Sequence, residues 1–193
     1  MNECANSSDS VSASMSAGHD LSENAQAGGR YHFELFEYEG GPLIREWDQD
    51  NVVCTIGKNV ALDAYLSGSA YTVVGPYLGL ISSASFSAVA AADTMASHAG
   101  WLEAGTANAP TYSGTRQTCV WSSAATGSKA LSSALSFTFT GSGTVQGAFV
   151  AFGTGAVATI GSTAGTLYSA GTFSAAQPVI PVNVLQVSYS TSL

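Results

Sequence analysis

The chain has 193 residues, which suits one domain with or without an appendage and is long enough to build a core without disulfides or metals. Only 9% of the residues are charged, against about 25% in ordinary soluble chains, so the surface is weakly protected against self-association and is expected to be covered by copies of itself or by a partner. All thirteen acids lie in residues 1–103, the remainder holds only Arg116 and Lys129, and no basic stripe exists, which argues against a nucleic-acid backbone as partner.

Residues 1–30 open with MNECANSSDSVSASMSAGHDLSENAQAGG, polar and serine-rich with no sustained period. Such a segment cannot bury enough apolar area to order itself alone. It reads either as a tail without fixed structure or as an arm that orders across a neighbouring subunit, with Gly28-Gly29 as the hinge to the body at 31–193. The start lacks a basic stretch followed by an apolar one, so no secretory signal is expected and synthesis in a cytoplasm is. No apolar run approaches the ~20 residues of a membrane span. Three cysteines without CxxC spacing read as reduced thiols, Cys54 and Cys119 as small buried hydrophobes in apolar runs.

In YHFELFEY, Tyr31, Phe33 and Leu35 alternate with His32, Glu34 and Phe36. EGGP then supplies turn residues and LIREW a second extended run, which together predict a β-hairpin. Its acids, among them Glu34, Glu46, Asp48 and Asp50, lack the spacing of a calcium loop and read as solvated edge charges. GKNVALDAYLSG predicts one short helix near 58–67, with Ala61, Leu62, Tyr65 and Leu66 on a face turned to the core and Gly68 as its stop.

From residue 71 onward the pattern is extended segments and turns: YTVV, PYLGLIS, GWLEAG, RQTCVW, LSFTFT, VQGAFVAF, TLYSAGTF and VLQVSYSTSL. Alternation is clearest at Leu135, Phe137 and Phe139 and at Leu185, Val187 and Tyr189, which are assigned to the core. Many strands with one helix predict a mainly β fold, an antiparallel β-sandwich of Ig-like or jelly-roll kind. The long connection SSASFSAVAAADTMASHAG is expected to cross an end or a face of that sandwich.

The end of this connection, DTMASHAGW, sets Asp93, Ser97 and His98 within six residues. A Ser–His–Asp triad needs the serine on one imidazole nitrogen and the carboxylate on the other. Adjacent residues point apart on a strand and do not face each other on a helix, and no G-x-S-x-G elbow is present. No catalytic residue is assigned, and local capping by Asp93 or Ser97 is the expected role. Neither a zinc spacing nor a phosphate loop is seen, so no metal or cofactor is expected. Trp47, Trp101 and Trp121 lie near strand ends; core or rim packing is the commoner use of such residues, and stacking on a sugar is the alternative.

The runs NVVCTIGKNVALDAYLSGSAYTVVGPYLGLIS, AADTMASHAGWLE, GTVQGAFV and GTLYSAGTF followed by VNVLQVSYSTSL resemble a group of small virion structural proteins of tailed bacteriophages, over residues 31–193. The resemblance implies a virion component without enzymatic activity or cofactor, with the major capsid protein or other virion proteins as partners and homo-oligomerisation expected. A capsid decoration or cement role is favoured within that class. A tail, adaptor or fibre-associated role and a carbohydrate-binding module for host attachment are the alternatives. Asp93, Met95, His98 and Trp101 are the candidate partner-contact residues.

Overall fold

The computed structural model describes residues 27–67 and 74–192. Two antiparallel sheets pack face to face. Sheet A contains β1 (Gly28–Phe36), β2 (Leu43–Asp50), β7 (Ser128–Ala130), β8 (Leu135–Thr138) and β11 (Val184–Ser192). Its order is β2-β1-β11-β7, with β8 also pairing β11. Sheet B contains β3 (Val52–Val53), β4 (Tyr77–Ser82), β5 (Leu102–Glu103), β6 (Gln117–Thr118), β9 (Gly143–Phe152) and β10 (Thr166–Val179). Its order is β3-β10-β9-β4-β5, with β6 also on β4. The mainly β sandwich expected from the alternation is the observed fold, and one helix, α1 (Thr55–Leu66), accompanies it.

Period-2 patterning decides what faces inward. Tyr31, Phe33 and Leu35 on β1 and Leu185, Val187 and Tyr189 on β11 are buried, and Phe137 and Phe139 join them from the β8 segment. Leu78 and Leu80 from β4 and Val145, Ala148 and Val150 from β9 meet them from sheet B. Tyr31 stacks on Tyr189 at 4.4 Å between ring centroids. The hydroxyls of both lie within hydrogen-bonding distance of Ser169, so the phenol tips buried with the rings keep partners.

Two expectations are corrected. Gly28 and Gly29 are not a hinge: they are paired strand residues opposite Ser192 and Thr191. A side chain at Gly29 would meet the Tyr189 hydroxyl at 2.5 Å, so close approach explains this glycine. The rest of the expected arm, residues 1–26, lies outside the described residues, as do Gly68 and most of the YTVV run. The helix is the second correction, because Leu62, Tyr65 and Leu66 face outward, Leu66 with 81% of its surface exposed. The inward face is Gly57 with the half-buried Val60, Ala61 and Ala64. A Cβ on Gly57 would come within 2.9 Å of the Tyr168 carbonyl oxygen. Small residues therefore let α1 lie close on β10, and the larger apolar side chains go to the outside.

Trp101 takes the core packing expected as the commoner use of the tryptophans. Sheet B is apolar on both faces: Ile81, Phe149, Ala151, Leu167 and Ala170 form a second cluster apart from the main core. A sheet so built must be covered on its outer side as well. The connection 82–100 supplies the cover, inserting Met95 with Phe86 and Val89 beside it, and Trp101 completes the cluster.

Candidate functional site

DTMASHAGW folds around the indole of Trp101. The ring is 1% exposed and lies 5.2 Å from Phe149 between centroids. Its Nε1 donates to Asp93 Oδ2 at 3.0 Å, and the same oxygen accepts the backbone N–H of Ala90 at 2.9 Å. His98 stacks on the outer face of the indole at 3.9 Å, and its Nδ1 donates to the Trp101 carbonyl at 3.0 Å. Thr94 and Ser97 exchange backbone hydrogen bonds in a tight turn. Gly100 is required because a Cβ there would fall 2.1 Å from the Ala88 carbonyl oxygen.

This geometry separates the candidate contact residues. Met95 and Trp101 are buried and serve the second core, while Asp93 and His98 are half-buried at the loop surface. The nitrogen of His98 that a triad would turn to a carboxylate is bonded to a carbonyl instead, and Asp93 is committed to Trp101 and Ala90. Capping by Asp93, expected from the sequence, is its observed role. The other two tryptophans are also packed: Trp47 stacks on Phe33 at 5.3 Å, and Trp121 sits edge-on to Tyr189 at 5.8 Å.

A buried ion pair fixes the neighbouring loops. Arg116 places Nε 2.8 Å from Glu103 Oε1 and Nη2 2.7 Å from Glu103 Oε2. The guanidinium also donates to the carbonyls of Val157 and Ser162, and Gly161 N–H donates to Glu103 Oε2. The cation lies 5.3 Å from the centre of the Phe149 ring. Every strong polar group of the pair thus has a partner, which a buried ion pair requires. The pair was not singled out from sequence; its signal was there, since Glu103 is the last acid of the chain and Arg116 one of two cations beyond it.

Among the described residues, ion-paired charge lines the β1–β2 strands, and exposed large apolar side chains gather in two groups, with others such as Val120 and Val157 standing singly. On the outer face of the β1–β2 hairpin, Arg30, His32 and Glu34 stand opposite Asp50, Asp48 and Glu46. Arg30 Nη2 reaches Asp48 at 3.0 Å and His32 Nδ1 reaches it at 2.9 Å. The hydrogen bond from His32, then the Arg30 cation, hold the Asp48 carboxyl below its usual range. Among the described residues, no group of three or more His, Cys, Asp or Glu side chains is placed to hold a metal ion. No described helix is long and apolar enough to cross a membrane.

One apolar group is the outer side of α1, carrying Leu62, Tyr65 and Leu66. The other lies at the far end of the sandwich, where the β1–β2 turn meets the β10–β11 turn. There Tyr38, Leu43, Ile44, Ile180 and Val182 are between 46% and 61% exposed. Asn183 joins the two turns: its Nδ2 donates to the Glu37 carbonyl at 2.9 Å, and its Oδ1 accepts Ile180 N–H at 2.9 Å. Val182 N–H and Phe139 N–H add backbone bonds that tie the turn to the β8 segment.

A scan against protein families, a search of characterised proteins and a search of solved structures each find no match to this chain.

Proposed function

We propose that the chain is a structural component of a tailed-phage virion, most simply a capsid decoration or cement protein bound to the outer shell. The observation that carries this reading is a charge-poor sandwich with large apolar side chains exposed in two groups. Monomers in water rarely keep such groups uncovered, and an assembly of many copies covers them by repeated contact. The likeness of DTMASHAGW and its flanking runs to phage virion proteins points the same way. The function is mechanical: a stiff body bound across the joints between capsid subunits adds contacts that must break before the joints open. The chain's own residues supply a scaffold and surfaces, and no reaction is assigned to them.

Copy number in purified virions tests the reading. Hundreds of chains per particle, measured on a stained gel against the major capsid band, fit a shell protein. A few to tens fit a tail, adaptor or fibre position. Absence from the particle removes the proposal.

A further inference from the structure

We propose that the end of the sandwich built by the β1–β2 and β10–β11 turns is the docking surface, and that it takes a virion protein presenting an apolar centre ringed by lysine or arginine. The inference rests on the virion reading and names the chemistry of the partner. Its first support is concentration. Tyr38, Leu43 and Ile44 from one turn and Ile180 and Val182 from the other are exposed together, at the end where Phe36 pairs with both Leu43 and Val184.

The second support is rigidity held against a local cost. Val182 has φ +71°, a left-handed backbone that a β-branched residue rarely adopts. Such strain persists only where the surroundings fix it, and here Asn183 and Phe139 hold both sides of the residue. The strained backbone leaves the valine side chain in solvent, where it contributes little to the chain's own core. A contact that is rigid before binding loses less freedom on docking.

The third support is charge, and it selects the occupant. Glu37 and Glu39 are exposed in the β1–β2 turn and Glu46 follows on β2. The one cation among them, Arg45, donates to Gln177 Oε1 at 2.6 Å. A second copy of the chain would bring one acidic rim against another, which opposes docking, whereas a basic rim is attracted. An apolar centre with an oppositely charged rim is the ordinary anatomy of a specific interface.

The experiment replaces the chain in the infecting genome and counts its copies per purified virion. Ile180→Ser with Val182→Gly, and separately Glu37→Lys with Glu39→Lys, are expected to lower occupancy about tenfold or more. Glycine accepts the backbone at 182, so the first variant is checked for a cooperative melt in isolation. Val120→Ser, which changes an exposed apolar side chain outside both groups, is expected to keep wild-type occupancy. If the wild-type chain is on the particle and both tip variants remain at its level, the docking surface is overturned while the virion reading stands. If the wild-type chain is absent from particles, both fall. Equal losses from the Val120 variant and the tip variants also overturn the assignment, since the tip then has no special part.

Discussion

The indole N–H of Trp101 donates to the Asp93 carboxylate across eight residues of chain, at 3.0 Å, and this bond closes the loop that covers the outer face of sheet B. Removing either partner has a distinct cost. Trp101→Ala empties a packed site between Met95 and Phe149 and is expected to destabilise the fold by about 3–5 kcal/mol. Asp93→Ala leaves the indole N–H and the Ala90 N–H without their acceptor and is expected to cost about 1–3 kcal/mol. Urea titration followed by tryptophan fluorescence reads both. A Trp101→Ala variant as stable as wild type would mean that the loop does not cover the sheet as described.

The sandwich was legible because sheet A is buried on one face only. Tyr31, Phe33 and Leu35 alternate with His32 and Glu34, and that period translates directly into inward and outward sides. Sheet B obscured its own requirement. VQGAFVAF is apolar almost throughout, which marks a strand buried on both faces but not what covers each. The sequence therefore left core and rim packing of Trp101 undivided, and the cover it anchors decides for core. The helix misled for a related reason: the large side chains of Leu62, Tyr65 and Leu66 suggest an inward face, yet Gly57 and its small neighbours permit the closer approach to Tyr168. Glu103 and Arg116 are thirteen residues apart, and the pairing of β5 and β6 with β4 brings Glu103 and the residue just before β6 to one edge.

That ion pair should behave as a coupled unit. Arg116→Met leaves the Glu103 carboxylate buried beside Gly161 without its cation, and loss of about 3–5 kcal/mol is expected. Glu103→Gln leaves the guanidinium with only carbonyl partners and is expected to be destabilising as well. The double variant removes the uncompensated charge that each single change creates, so its cost should fall short of the sum of the two. A double-mutant cycle in urea measures the difference. Strict additivity would show that the two charges do not interact, contrary to the 2.7 Å contact.

Burial pushes the Cys54 thiol up to about 11, with the Asp93 carboxylate adding to the shift. Burial alone pushes Cys119 up to about 12. Thiolate is the reactive form, so neither should be modified in the native chain at mildly alkaline pH. In a Cys4→Ser background, a disulfide reagent at about pH 8 is expected to label neither thiol until guanidinium is added, and then both. Prompt native labelling would show that one of the two sites opens far more readily than its packing implies.

Asp48 gives a pH dependence with a definite sign. His32 and Arg30 favour its ionised form, so the folded chain binds this proton more weakly than the unfolded chain does. The resulting stabilisation is complete above the ordinary carboxylate value of about 3.9 and is lost as pH falls through the lower folded value. Asp48→Asn should therefore unfold more easily than wild type near neutral pH, and the gap should close in acid. All three side chains are substantially exposed, so added salt should narrow the gap at neutral pH. Chemical denaturation of both chains across the acid range, at low and high salt, reads each effect. A gap that stays constant through the acid range would assign the cost of the substitution to lost packing on the β1–β2 hairpin rather than to the charge.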